Sequence, residues 1–459
     1  MAFQPRPSFA FPTHTPSWFI GHMVRSLREL PALLEDIDLV IEARDARLPL
    51  TSVNRAFDAA LERAWGPRGL TDGFYKGKGT RREKLIVYTK RDLAEAKYEE
   101  PLKKAMLKHQ GQRVSFTDTR LDMDVKNLLR HAVRTARLND ETTTEMKVLV
   151  VGMPNVGKSS LLNALRRVGV HKGKAFRTGA EAGVTRKLTG TVKIHEDPNI
   201  YVYDTPGVMV PFLGHGQDGA ERGLKLALTA GIKENLFPHD AIVDYLLWRM
   251  NRRLISQSHL PSDDPARNPT YLNLLPLPTD FTEPTEDISV LLDALAGRIG
   301  ALRKGGERDL EGAMTFMIRA FREGRLGRWT FDDLEGGAGT PRSSDLRGNA
   351  SRAASSTGKV DDDLPVMLDS NIEYGQGETP TPHPASADLD EAVSQAVRSF
   401  LETSATTQAR MAEGKDLSTS QQRKAASRAK NEARLARWKA KGIGGRLLVR
   451  SPRKRTGVR

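Results

Sequence analysis

The sequence predicts an α/β fold with a mostly parallel sheet, followed by an all-α domain and a disordered, basic C-terminal extension. Three observations carry that prediction. Apolar and β-branched runs alternate with helical spacings as far as Val210, only helical periodicities follow, and residues 421–459 hold fourteen Lys/Arg against one acid, Glu432. That tail accounts for +13 of the chain's net charge of +14, so the rest of the 459 residues is nearly neutral. The absence of cysteine excludes a disulfide framework, a thiolate metal site and a cysteine nucleophile. No apolar run is long enough to span a bilayer, which argues against a transmembrane segment.

Residues 1–17 precede the first strong pattern. No acid occurs before Glu29, and Arg6, Arg25 and Arg28 lie among Ser and Thr, a composition compatible with a mitochondrial presequence, although Pro5, Pro7, Pro12 and Pro16 oppose an amphipathic targeting helix. Across 18–212, the runs at 37–44, 84–88, 113–116, 146–151 and 200–203 read as buried strands. Leu93–Gln110, Val125–Leu138 and Ser160–Val168 read as the helices between them. Gly219–Leu236, Ala241–Arg252, Ile288–Leu302 and Leu310–Glu323 then predict a helical domain over 213–334, with a Pro-rich internal loop from His259 to Pro284. Residues 335–388, rich in Gly, Ser, Pro and Asp, have the composition of a disordered linker. Leu389, Val393, Val397 and Phe400 mark one amphipathic helix in 389–459, and the basic tail follows.

One motif carries the chemistry. Gly152-Met-Pro-Asn155-Val156-Gly157-Lys158-Ser159 fits G-x-x-x-x-G-K-[ST], with a predicted strand before it and a helix from Ser160 after it. Its glycines let backbone N–H groups close around phosphates at a helix N-terminus. Lys158 neutralises β- and γ-phosphate charge, and the Ser159 hydroxyl is a ligand for Mg²⁺. Downstream, Asp204-Thr-Pro-Gly207 ends a strand. Asp204 suits the Mg²⁺ shell, and the Gly207 N–H is suited to sense the γ-phosphate. Between them, Thr185 in Gly183-Val-Thr-Arg is the natural switch residue, its hydroxyl for Mg²⁺ and its backbone for the γ-phosphate.

Base recognition needs a carboxylate for the guanine N1–H and amino group, with a lysine stem over the ring. Thr89-Lys90-Arg91-Asp92 supplies both, after a strand but upstream of the phosphate loop; Ser115–Asp118 is a looser second base-side loop. The chemistry of a guanine nucleotide-binding domain is therefore present in rotated order.

That order, with Trp18-Phe-Ile-Gly-His22-Met and the run from Asp38 to Ser52, resembles the YlqF/RbgA family of circularly permuted P-loop GTPases that act in ribosome assembly, its mitochondrial branch above all. Phe321–Trp329 also resembles the end of that family's helical domain. The resemblance, covering about residues 17–335, implies binding and slow hydrolysis of GTP to GDP on a precursor of the large ribosomal subunit, rRNA contact through the helical domain, and a monomer off the ribosome. It also implies His22 as the group that organises the attacking water, since Val208-Met-Val-Pro211 offers no glutamine after Gly207. Asn155 stands where related permuted GTPases hold K⁺. The family's base motif usually starts with Asn, so Thr89 implies weakened loop bracing and modest nucleotide affinity.

The tail's alternation of Lys/Arg with Ala over Arg423–Lys441 suits RNA phosphates, with an anionic membrane surface as the competing partner. Localisation to the mitochondrial matrix, peripheral to the inner membrane if the tail binds lipid, follows from these readings. The rival functions are an RNA-binding assembly module with a vestigial GTPase and a P-loop ATPase or kinase; Lys90 and Asp92 argue against the latter.

Overall fold

Leu39, Val40 and Ile41 are all inaccessible to solvent, as are Val148 and Val150, because their strands lie in the middle of a sheet covered on both faces. A computed structural model describes residues 3–12, 30–69, 74–77, 80–139, 144–173, 189–204, 213, 216–232, 236–258, 261, 269–335, 384–412, 427 and 430. Its strands are β1 (Leu39–Asp45), β2 (Tyr75–Gly77), β3 (Thr80–Thr89), β4 (Val114–Thr117), β5 (Glu145–Gly152), β6 (Thr189–His195) and β7 (Asn199–Asp204). The main sheet runs β4-β3-β1-β5-β7-β6; β6 is antiparallel to β7, and β2 adds an antiparallel flap at the start of β3. From β1 and β5, successive parallel neighbours are added in opposite directions. A crevice for ligands therefore opens at their C-terminal ends.

The helices of this part are α1 (Arg55–Trp65), α2 (Glu99–Gln110), α3 (Asp122–Arg137) and α4 (Lys158–Val170). Val125, Leu128, Leu161 and Leu165 of α3 and α4 pack with Leu39, Ile41, Val148 and Val150, while Phe57, Leu61 and Trp65 of α1 pack with Val40, Leu149 and Val151 on the opposite face. Successive strand residues thus feed two separate cores.

Beyond the sheet lie α5 (Gly216–Leu228), α6 (His239–Ser256), α7 (Ile288–Ile299) and α8 (Leu310–Arg322). Their apolar faces form one cluster that includes Leu224, Leu246, Leu291, Met317 and Phe331. The predicted helix from Gly219 stops at Leu228 rather than Leu236. The Gly231 N–H returns to the Leu226 carbonyl at 2.7 Å, and Ala230 takes a left-handed conformation, φ 60°. The predicted helix from Leu93 likewise begins only at Glu99, after two short 3₁₀ turns, with Pro101 in its first turn, where a missing N–H does no harm.

A final helix, α9 (Pro384–Ala412), starts five residues before the expected Leu389. Met1–Phe400 is one compact unit and Leu401–Arg459 a second. Within the first, α9 meets α2 through Lys104–Asp390 at 2.6 Å and His109–Ser394 at 2.8 Å, with Val393 and Val397 buried. The basic helix expected over Arg423–Lys441 lies almost wholly outside the described residues, as does most of the linker. No described helix is long and apolar enough to cross a membrane.

Candidate functional site

The site grows from the C-terminal ends of three neighbouring strands. Gly152, closing β5, lies opposite Ala43 of β1, and two residues further on Asp45 lies opposite Thr89, closing β3. The loop after β5 and the loop after β3 therefore emerge on one edge with a single strand between them. Gly152 has to be glycine: a Cβ there would lie 2.3 Å from the Ala43 carbonyl oxygen, and its φ is +150°. Asn155 and Gly157 also take positive φ, 54° and 97°, turning the loop back on itself before α4 starts at Lys158. Such a turn gathers N–H groups into an anion-binding concavity at a helix N-terminus.

Lys158 is buried, and its Nζ donates to the carbonyls of Gly152 and Met153 at 3.2 and 2.9 Å, so its charge sits over the loop where phosphates would lie. Ser159 and Ser160 follow in the first turn of α4, half-buried. A hydroxyl at that position has the chemistry of a Mg²⁺ ligand beside bound phosphates. Val156 and Met153 point the other way, into the apolar cluster of the helical part. The Asn155 amide donates to the Ala230 carbonyl, just past α5, at 3.1 Å.

Thr89 ties the second loop to the first. Its hydroxyl faces the Arg44 carbonyl at 3.0 Å and the Val156 carbonyl of the phosphate loop, and a Cβ on Gly157 would lie 3.6 Å from it. The hydroxyl reaches the phosphate loop directly, but its one hydrogen serves one carbonyl at a time, where the two N–H donors of an asparagine could serve both. Lys90, at φ 56°, sends its Nζ to Asp45 at 3.0 Å. Burial would raise the Asp45 carboxyl, but Arg47 and Lys90 beside it hold it well below the usual carboxylate range.

Asp92 lies in the 3₁₀ turn that follows. Burial, with Asp118 nearby, pushes its carboxyl above the ordinary value, against the pull of Arg120, whose Nη2 stands 2.6 Å from Oδ2. The loop after β4 therefore does reach Asp92, through Asp118 and Arg120. Sequence reasoning had no reason to single out Arg120, one arginine among many.

Of the expected residues, the structure joins Thr89 to Val156 and Gly157, with Lys90 and Asp92 following Thr89 in the same loop and Lys158, Ser159 and Ser160 following Gly157 in the first turn of α4. His22, Thr185 and Gly207 lie outside the described residues. For Asp204 only the backbone is described, paired with Val150 on β5 and Thr189 on β6, which sets it beside the phosphate-loop strand.

The helical part closes over these loops. Trp329 N–H donates to the Leu93 carbonyl at 2.9 Å, Thr330 N–H to Glu95 at 3.0 Å, and Phe331 N–H to the Arg47 carbonyl at 2.9 Å. Asp332 accepts from the Leu50 and Thr51 N–H groups at 2.7 and 2.9 Å and from the Thr51 hydroxyl.

A family model described as "50S ribosome-binding GTPase" matches residues 147–258. The chain is 33% identical to the Xenopus tropicalis protein named mitochondrial ribosome-associated GTPase 1, over 68% of this chain and 92% of that one. It is 31% identical to the Schizosaccharomyces pombe protein named mitochondrial GTPase 1, over 73% and 94%. Among solved structures, GNP-bound YlqF from T. maritima matches at 21% identity and a TM-score of 0.41, over 67% of this chain and 97% of that one.

Proposed function

The chain belongs to the family of mitochondrial ribosome-associated GTPases, and from that membership we propose that it is a mitochondrial GTPase assembly factor whose nucleotide state sets its hold on the large ribosomal subunit. In this reading residues 18–212 bind and hydrolyse GTP, 213–334 meet rRNA, and the basic tail adds phosphate contacts in the matrix. A tail resting on anionic inner-membrane lipid is the alternative placement.

The observation that supports the coupling is the burial of Met153 and Val156. Two residues of the phosphate loop are part of the helical domain's apolar core. Phosphates that reshape the loop therefore press on the surface that faces the ribosome. Lys158 neutralises phosphate charge, Asp92 and Lys90 read the base, and Ser159, Thr185 and Asp204 would hold Mg²⁺, which supplies charge neutralisation on the transferred phosphoryl group. Thr185 and Gly207 sense the γ-phosphate. His22, as a neutral imidazole, accepts from the attacking water, and a K⁺ held at Asn155 would add positive charge.

The test is sedimentation of the full chain with large-subunit precursors in GTP, GDP and no nucleotide, with Thr185→Ala as a trap for co-purifying RNA. Association favoured by GTP is the expected result; equal association in all states would overturn the coupling. His22→Ala should abolish subunit-stimulated turnover, and faster hydrolysis in K⁺ than in Na⁺ is expected if Asn155 holds the ion.

A further inference from the structure

Two carboxylates stand at the base end of the site with one cation between them. Asp92 is 24% exposed as a side chain and Asp118 8%, whereas Arg120 is 70% exposed and covers them from outside. Arg120 grips Asp118 as a fork, Nε to Oδ1 at 3.0 Å and Nη2 to Oδ2 at 2.9 Å, and its backbone N–H donates to the same Oδ1 at 2.9 Å. The same Nη2 lies 2.6 Å from Oδ2 of Asp92. Neighbouring cations are committed elsewhere: Lys90 to Asp45 at 3.0 Å, and Arg91 to Glu99 and Asp124 at 2.7 and 3.1 Å.

We infer that Arg120 is a positioning residue for guanine recognition: anchored on Asp118, it holds the Asp92 carboxylate ionised and oriented to accept from the base. The inference rests on the reading of Asp92 as the base-reading acid. A carboxylate offers about four lone-pair positions. Arg120 meets Asp92 as an ion pair at Oδ2, its hydrogen bonds going to Asp118, which leaves acceptor capacity for the two guanine donors. Without that cation the two carboxylates would face each other in a half-buried loop, and like charges at close range drive one of them to bind a proton. A protonated Asp92 presents a donor where the base also donates.

The charged groups acting on Asp92 are Arg47 from the loop after β1 and Asp118 and Arg120 from the loop after β4; Lys90 and Arg91 on its own turn are directed to Asp45 and to Glu99 and Asp124. Burial and Asp118 push the Asp92 carboxyl up, and Arg120, with Arg47, pulls it down. Asp118 is held low chiefly by its bond to Arg120. Loss of Arg120 therefore moves the acid limb of GTP affinity to higher pH.

The test is binding of a fluorescent GTP analogue to the full chain from pH 5 to 8, with steady-state turnover alongside and thermal melting as a control of folding. Arg120→Gln is expected to weaken binding roughly tenfold at neutral pH, the scale on which removing a neighbouring opposite charge acts on a half-buried carboxylate. KM should rise by a similar factor, with kcat moving less, and the acid limb should shift upward. Arg120→Lys should restore part of the loss. Combining Arg120→Gln with Asp118→Asn should restore more, because the repelling charge is gone. An Arg120→Gln variant that binds like the parent at every pH, or a double variant no better than the single one, would overturn the assignment. Asp92→Asn separates the two readings. A shift from guanosine to xanthosine triphosphate, whose base carries a carbonyl in place of the amino group, upholds Asp92 as reader whatever Arg120 does; unchanged preference for GTP would remove the base reading itself and the inference with it.

Discussion

Thr89 has one hydroxyl hydrogen and two carbonyls within reach, on Arg44 and Val156. An asparagine of nearly equal volume offers two N–H donors there, so Thr89→Asn should satisfy both carbonyls and tighten GTP binding severalfold. Thr89→Val, isosteric but without a hydrogen to give, should weaken it and cost about 1 kcal/mol of stability. Titration of both variants checks the pair, and an Asn variant no tighter than the parent would show that this brace does not limit affinity. Glu42 is a different case, a buried acid in the middle of β1, paired with Arg44 at 2.8 Å and Lys84 at 3.3 Å. Burial would raise it, but the two cations bring it down to about 2 from the ordinary 4.5. Its folded value lies below the unfolded one, so its contribution is fully present above about pH 4.5 and disappears as the pH falls through about 2. Glu42→Gln strands Arg44 in the sheet, while Lys84 keeps only Asp58 at 2.6 Å. It should cost about 3 kcal/mol at neutral pH and flatten the acid side of the stability profile in urea titrations.

Elements were legible where burial on both faces forced unbroken apolar runs, as in β1 and β5, or where a helix had one clear stripe, as in α3. β6 was missed because it is an edge strand whose Thr-Gly-Thr-Val-Lys-Ile-His alternates weakly, and β2 is only three residues long. The α1 helix was readable and passed over: Asn54 caps it by accepting from the Phe57 N–H, and Phe57, Leu61 and Trp65 recur every fourth residue. In the site, the spacing from Gly152 to Ser159 announced the phosphate loop. No spacing could announce that Asn155 reaches Ala230 or that Arg120 covers Asp92, because those contacts join distant parts of the chain through the tertiary fold. Gly152 shows how closely strand packing and chemistry are joined. Gly152→Ala drives a methyl onto the Ala43 carbonyl oxygen, so β5 must part from β1. Nucleotide binding should fall at least tenfold while far-UV circular dichroism changes little; retained affinity would mean that the strands yield without disturbing the loop.

At the scale of the whole molecule, the nucleotide loops and the helical domain are joined at several points rather than through one hinge. The N-terminal segment belongs to this assembly: Arg6 meets Asp244 and Glu286 at 2.6 Å each, and Phe9 is buried against Tyr245 and Trp248. Phe9→Ala should cost about 3–5 kcal/mol in thermal or urea unfolding, the range of a large aromatic removed from a core. The joints bear on mechanism as well as on stability. Glu95, three residues after Asp92, pairs with Arg253 of α6 at 3.1 Å and accepts from the Thr330 N–H. It bridges the base loop to the helical domain without belonging to the phosphate loop. If nucleotide state is conveyed through packed loops with two arrangements, cutting this bridge should reduce the coupling free energy, which for such systems is about 1–3 kcal/mol. Glu95→Ala is therefore expected to narrow the difference between GTP- and GDP-dependent association with large-subunit precursors by several fold in sedimentation. An unchanged difference would place the coupling in the phosphate loop and its buried Met153 and Val156, with the base loop serving recognition alone.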